Sequence, residues 1–149
     1  MTISFIKTFF SLAILLFCLL QAKQVHAKFK IIAQYKIVIA NGLPSGSPPL
    51  TAHCQSKDDD IGHHTLNPDQ SFNWEFGMNA FATTRFYCSF TWGQKIRSCD
   101  VFNANLADRY CGSSIEVENI CYWLVKEDGF YLSARDDPQP SDLHLINKW

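Results

Sequence analysis

Apolar and polar residues alternate with a period of two through much of the chain. Phe72, Trp74 and Phe76 fall on one side, with Ser71, Asn73 and Glu75 on the other. Phe86, Cys88, Phe90 and Trp92 alternate in the same way with Arg85, Tyr87, Ser89 and Thr91, and Cys121, Trp123 and Val125 repeat the pattern. Successive side chains of a strand point to opposite faces, so this spacing predicts antiparallel sheet with one buried and one wet face. The residues are also aromatic and β-branched, which suits strands. Strands are predicted near 35–40, 50–56, 63–66, 70–76, 84–92, 95–102, 120–126 and 129–133. Glu127-Asp128-Gly129 reads as a hairpin turn, because Asp-Gly tolerates the positive φ such turns need. The cluster from Gly42 to Pro49 is too rich in Pro, Gly and Ser for a ladder and reads as a loop. The span 103–119 is either a long loop or holds a helical turn around Ala104–Tyr110. The tail after Arg135 is polar and proline-containing, and is expected to be loosely ordered. Many short strands separated by turns predict an all-β sandwich or barrel.

The N-terminus departs from this pattern. Lys7 precedes the run Phe9–Leu20, twelve residues broken by one serine, and polar residues then lead to Val25-His26-Ala27. A charge, an apolar stretch and a small-residue site in this order make a secretory signal. A membrane-spanning helix would need about 18 or more apolar residues. Cleavage is expected after Ala27, with Ala22 the next choice, so that residues 1–27 are a signal peptide. Residues 28–149, 122 in number, are then one secreted, extracellular domain. Without Lys7 and Lys23 that domain has 11 basic residues against 14 acidic ones, a net charge of −3. No basic face is implied, which argues against a nucleic-acid partner.

Cysteine use agrees with secretion. Cys18 leaves with the signal, and Cys54, Cys88, Cys99, Cys111 and Cys121 remain. Disulfides persist outside the cell and suit small domains with modest cores, each contributing about 2–4 kcal/mol. The odd number leaves one thiol over or a bridge between chains, and the pattern by itself does not choose among the pairings.

The candidate chemistry is sparse. Ser56-Lys57-Asp58-Asp59-Asp60 offers carboxylate oxygens that suit calcium, but it lacks the twelve-residue loop with its glycine and closing glutamate. It reads better as a solvated turn, its side chains bonding nearby N–H groups. His63 and His64 are neighbours and would face opposite sides of a strand, a poor spacing for chelation. His53 and His144 read as surface or half-buried residues. No Gly-x-Ser-x-Gly, His-Glu-x-x-His or phosphate-binding glycine loop is present. No catalytic residue, metal site or cofactor is therefore expected. Phe72, Trp74, Phe76, Phe86, Phe90, Trp92 and Trp123 could line a sugar site, but at these spacings they read as core. Asn119-Ile120-Cys121 is not a glycosylation sequon.

The segment from His53 to Gly62 resembles the signature opening of the plant self-incompatibility S-protein homologues. The aromatic strand Phe72–Phe76 and the segment Thr84–Trp92 continue the likeness. Asp100-Val101-Phe102, Cys111, Cys121-Tyr122-Trp123 and Asp128–Leu132 follow in the family's order. The resemblance covers roughly residues 35–135. It implies a small secreted plant β-sandwich with two disulfides, whose best-known relatives are pistil ligands that bind a pollen surface receptor and stop self pollen. Cys54, Cys88, Cys111 and Cys121 match the family's four cysteines, whereas Cys99 falls where an aromatic residue is usual. Cys54–Cys121 and Cys88–Cys111 are the favoured bridges, on the supposition that the first and last of these strands meet, with Cys99 a buried free thiol. The expected activity is that of a monomeric, non-enzymatic extracellular ligand recognised by a cell-surface membrane receptor. A secreted defence or inhibitor protein is the alternative, and a secreted hydrolase a more distant one. Loops at the ends of a sandwich carry recognition, so Lys57, Asp58, Asp59 and Asp60, with Lys126, Glu127 and Asp128, are the candidate receptor contacts.

Overall fold

A computed structural model describes residues 6–17 and 33–149, which fall into two units. In the first, residues 6–17 form a helix that exposes Phe9, Leu12 and Phe17. No helix among the described residues is long and apolar enough to cross a membrane. Cys18 and both predicted cleavage points, after Ala22 and after Ala27, lie outside the described residues.

The second unit holds nine strands: β1 (Gln34–Asn41), β2 (Leu50–Gln55), β3 (Asp60–Leu66), β4 (Ser71–Gly77), β5 (Phe86–Trp92), β6 (Lys95–Phe102), β7 (Asn119–Lys126), β8 (Gly129–Ser133) and β9 (His144–Asn147). They make two sheets, ordered β4-β1-β7-β8-β9 and β3-β2-β5-β6. Pairing is antiparallel except where β1 runs parallel to β7. β1 is central and its KIVIAN run is buried from Ile37 to Asn41, the near-continuous apolar reading typical of a strand covered on both faces.

The alternating aromatics do turn inward. Tyr35, Ile37, Ile39, Cys121, Trp123, Val125, Phe130 and Leu132 of the first sheet meet Leu50, Ala52, Cys54, Phe86, Cys88, Phe90 and Phe102 of the second in one core. β4 lies at an edge, so Phe72, Trp74 and Phe76 are only half-buried there. The two sheets are also joined by a hydrogen bond. Between Phe86 and Tyr87 the β5–β6 register shifts, so that Phe86 faces Phe102 and Tyr87 faces Asp100, leaving Val101 as the extra residue. A bulged residue is released from the ladder, and the Val101 carbonyl accepts from Trp123 Nε1 at 2.9 Å in the middle of the core.

The span 103–119 contains one short helical stretch. Asn103 caps Ala104–Leu106, its side chain accepting from the Leu106 N–H, and a π turn continues over Ala107–Cys111. Asn119, buried at the start of β7, gathers the loop that follows by accepting from Ser114 N and donating to the carbonyls of Ser114 and Gln34.

Two expectations are corrected. The tail is ordered: β9 pairs with β8, a 3-10 turn at Pro140–Asp142 precedes it, and Trp149 packs on Phe130 and Trp92 while donating to the Lys126 carbonyl. Its polar composition hid two apolar anchors, Ile146 and Trp149, that complete the core. The predicted hairpin forms after β7, with Glu127 and Asp128 at the turn and Gly129 opening β8 at φ 154°. Glycine is needed there because a Cβ would collide with the Asn147 carbonyl of β9. The disulfides are Cys54–Cys88 and Cys111–Cys121, not Cys54–Cys121 and Cys88–Cys111. β2 and β7, supposed to meet, belong to different sheets. Cys54 instead sits opposite Cys88 on the neighbouring strand, and Cys121 takes its partner from the π turn.

Replacing Trp123 with Phe should lower unfolding free energy by about 2–4 kcal/mol, because it shrinks a core side chain and strands the Val101 carbonyl without a donor. Urea denaturation checks this. A loss below about 0.5 kcal/mol, the range of ordinary surface substitutions, would show that the sheets do not depend on the bond.

Candidate functional site

Registers divide the exposed loops between two ends. Gln55 faces Tyr87, which places the β2–β3 loop beside the start of β5. Trp92 faces Lys95 in the β5–β6 turn, and Lys95 Nζ donates to the Glu127 carbonyl at 3.3 Å, which places the β7–β8 turn at the far end. The two charged loops, 57–60 and 126–128, therefore occupy opposite ends of the sandwich.

The end bearing the β2–β3 loop holds a cleft of about 550 Å³. Ser56–Asp59 form one wall, Asn79 and Thr83–Arg85 the other, and Phe76, Phe86 and Tyr87 the apolar lining. Ser56 builds the first wall: its Oγ accepts from the N–H groups of Asp58 and Asp59 at 3.2 and 2.9 Å, and its own N–H donates to the Asp59 carbonyl at 2.8 Å. Cys54, bridged to Cys88, fastens this loop to β5. Asn79 builds the second wall, accepting from Thr83 N and donating to Thr83 Oγ1 from its amide, while its backbone N–H donates to Thr84 Oγ1. The tip of that loop lifts Phe81 into solvent, 86% exposed, with Ala82 at φ 52°.

The predicted contact residues have different structural duties. Lys57, Asp58 and Asp59 line the cleft. Asp60 opens β3, where its carboxylate accepts from Gly62 N at 2.9 Å and lies 2.8 Å from His53 Nε2. The His53 hydrogen bond is the main reason its carboxyl falls below the usual range. Asp128 accepts from the Tyr131 hydroxyl, which likewise lowers the Asp128 carboxyl and raises the Tyr131 phenol. Lys126 lies over the Tyr131 ring at 5.0 Å. At that end Lys95 lies between Trp92 and Trp149, 5.0 and 5.8 Å from their rings. The 126–128 turn is thus exposed but held by local hydrogen bonds and ring contacts, whereas Lys57–Asp59 line an open cleft.

No candidate contact is predicted in the 78–85 loop. β5 begins at Phe86, two residues later than predicted, so Arg85 lies in the loop and not in a strand. Arg85 lies on the cleft and makes a fork to Asp100, its Nε donating to both carboxylate oxygens at 2.9 Å and Nη2 to one at 2.7 Å. Its guanidinium stands 5.7 Å from the Tyr87 ring. Asn79, with Thr83 and Thr84 four and five residues on, was the available signal, since Asn side chains organise turns by bonding nearby backbone.

The histidines sort by face as expected. His63 stacks on His53, its register partner, at 3.9 Å, while His64 stacks on Phe72 at 3.7 Å. Among the described residues no group of three or more His, Cys, Asp or Glu side chains converges as metal ligands would.

Residues 36–149 match the family model for plant self-incompatibility protein S1. The chain belongs to this family. S-protein homolog 29 of Arabidopsis thaliana is 31% identical over 128 residues, covering 86% of this chain and 87% of that protein. S-protein homolog 5 of the same plant is 37% identical over 84 residues, 56% of this chain and 60% of its own length. S-protein homolog 2 is 36% identical over 101 residues, 67% of this chain. The matches span about three-fifths of homologs 5 and 2, at 60% and 59% of their lengths. The solved structure of a self-incompatibility protein homologue has the same fold, with a TM-score of 0.56 at 20% identity, covering 79% of this chain and 96% of that one. It is described as coming from "a widespread family of small, highly stable, secreted proteins from plants". The β-sandwich with two disulfides that the resemblance implied is the fold observed, and the family is one of secreted plant proteins.

The Asp100 carboxyl is held below its ordinary value, chiefly by the Arg85 hydrogen bonds with Asn103 assisting, against partial burial. A lowered carboxyl stabilises the fold above its unfolded value, about 3.9, and loses that stabilisation as pH falls through the folded value. Asp100→Asn should therefore be less stable than wild type at neutral pH by at most about 1 kcal/mol, as for other exposed ion pairs. The gap should close at an acid pH below the folded value, where wild type is protonated too. Chemical unfolding at both pH values tests this, and an equal gap at each would remove the pair from the account.

Proposed function

We propose that this protein is an extracellular ligand without enzymatic activity, and that it presents the cleft end of its sandwich to a cell-surface membrane protein. The observation that carries the reading is the contrast between the ends. At one, Asp58 and Asp59 stand at an open cleft beside an exposed Phe81. At the other, the charged turn is also exposed but borders no such cleft, and its groups are already engaged, Asp128 with the Tyr131 hydroxyl and the Lys126 carbonyl with Trp149. An exposed aromatic beside a concave surface suits an interface anchor, and rim carboxylates steer and select a partner more than they add affinity. Family membership supports a ligand role, since the family takes its name from self-incompatibility.

The test compares the two ends. Asp58→Lys with Asp59→Lys, and separately Phe81→Ala, should weaken binding to plant-cell membranes by about tenfold or more, the loss of roughly 1.4 kcal/mol. Glu127→Lys with Asp128→Lys should bind as wild type does. Asp60 is left intact because its carboxylate holds the turn. Circular dichroism confirms that each variant is folded. Loss of binding only in the Glu127 and Asp128 variant would move the contact surface to the opposite end, and unchanged binding in all three would exclude both ends.

We further infer that residues 1–27 are removed on secretion, so that the mature chain begins at Lys28. N-terminal sequencing of protein from the extracellular medium should read Lys28-Phe29-Lys30. A start at Lys23 would shift the boundary to Ala22, and recovery of the intact chain from the cytosol would overturn the inference.

A further inference from the structure

Cys88 stands between two cysteines. β5 lies between β2 and β6, and the registers set Cys54 opposite Cys88 on one side and Cys99 opposite it on the other. Directly opposed residues of antiparallel strands project to the same face with Cβ atoms about 4.5–5.5 Å apart. A disulfide closes that gap to about 3.5–4.5 Å. The Cys54–Cys88 bridge does so here, with Cα atoms 4.1 Å apart, while Cys99 is the free cysteine among the described residues.

We propose that Cys54, Cys88 and Cys99 form an intramolecular thiol–disulfide exchange site, in which the bridge moves from Cys54–Cys88 to Cys88–Cys99. In the forward step the Cys99 thiolate bonds to Cys88 Sγ and the Cys54–Cys88 bond breaks. The electron pair leaves on Cys54 Sγ, which takes up one proton in place of the one Cys99 gave up. No oxidant or reductant is consumed. An attacking thiolate approaches a disulfide sulfur from the side away from the leaving sulfur. Cys99 and Cys54 flank Cys88 from opposite neighbouring strands, which provides that approach. Cys54 and Cys99 are themselves two strand spacings apart, about 9–10 Å, too far to pair directly.

The exchange would act on the cleft wall. Cys54 lies two residues before Ser56, the residue that organises the Asp58–Asp59 turn, and a register shift follows Cys54 at once. Moving the bridge frees that end of β2 and ties β5 to the edge strand β6 instead. The step is restrained in the closed fold. Cys99 is partly buried and bonded to the Asn147 side chain on β9, the facing edge of the other sheet. Burial raises its thiol to about 11, so the attacking thiolate is scarce at neutral pH. The disulfide readout below stands apart from the receptor reading, which neither its success nor its failure touches.

Two single variants of the full secreted chain test the geometry. Cys54→Ser, expressed in an oxidising medium, should carry a Cys88–Cys99 bridge beside an intact Cys111–Cys121. Cys88→Ser should leave Cys54 and Cys99 both free to N-ethylmaleimide. Non-reducing peptide mapping reads both, and two free thiols in Cys54→Ser would overturn the proposal. If that variant does not fold, wild type decides the matter. Incubated without added thiol, it should gain Cys88–Cys99 peptide and label at Cys54, about tenfold faster per pH unit as the thiolate fraction rises toward pH 11. Label confined to Cys99 after incubation at high pH would refute the exchange.

Discussion

The hydrogen bond from the Trp123 indole to the Val101 carbonyl is the contact on which the sandwich turns. Two sheets can be packed by apolar area alone, but area is non-directional and tolerates sliding. A buried donor aimed at one carbonyl does not, because any slip strands a polar atom where water cannot reach. The register shift in β5–β6 leaves Val101 without a partner on β5, and its carbonyl accepts from the indole. That shift also sends Val101 and Phe102, adjacent in sequence, both into the core. One irregularity thus carries the acceptor, adds a side chain to the core, and fixes the offset at which β7 lies over β6.

With the centre fixed, the open sides of the sandwich are closed by mixed polar and aromatic contacts. His64 of β3 stacks on Phe72 of β4 along one side, and the Asn147 side chain of β9 meets Cys99 of β6 along the other. Trp149 finishes the second side against Trp92 and Phe130. At the turns, buried asparagines replace the missing ladder partners. Asn41 donates to the Leu66 carbonyl and accepts from Leu43 N, so the Pro- and Gly-rich loop after β1 leaves with its polar groups satisfied. These contacts join the edge strands of the two sheets, β3 to β4 and β6 to β9, and so close the core along both sides.

How much of this was legible follows from which forces are local. Period-two patterning is local, so the strands and the inward face of Phe86, Phe90 and Trp123 could be read directly. The disulfides were not legible, because Cys54–Cys88 depends on β2 and β5 being neighbours, a fact of topology that spacing does not carry. Parallel pairing of β1 with β7 is equally non-local, joining segments separated by the whole of the second sheet. The tail was misread for another reason: its two anchors, Ile146 and Trp149, are too few to make a pattern. At the candidate site the acidic run was visible, but its division of labour was not. Asp58 and Asp60 look alike in sequence, and only the fold shows that one lines a cleft while the other binds Gly62 N and His53.

That division bears on how the cleft can vary without loss of the fold. The cleft walls are built from side chains that bond to their own backbone: Ser56 on one side and Asn79 on the other. Residues between these organisers, Lys57 to Asp59 and Asn79's neighbours up to Phe81, donate little to the core. Their side chains can change charge or size at small cost, since exposed substitutions away from packed features usually shift stability by within about 0.5 kcal/mol. The constraint falls instead on Ser56, Asn79 and Asp60, whose loss would unmake the loop rather than alter its chemistry. The Arg85–Asp100 fork lies at the boundary, with Arg85 on the cleft and Asp100 braced by Asn103 beneath the helical turn. Changing it would alter the charge on the cleft and the support of the segment leading to Cys111. It is therefore the part of the cleft in which surface chemistry and folding are least separable.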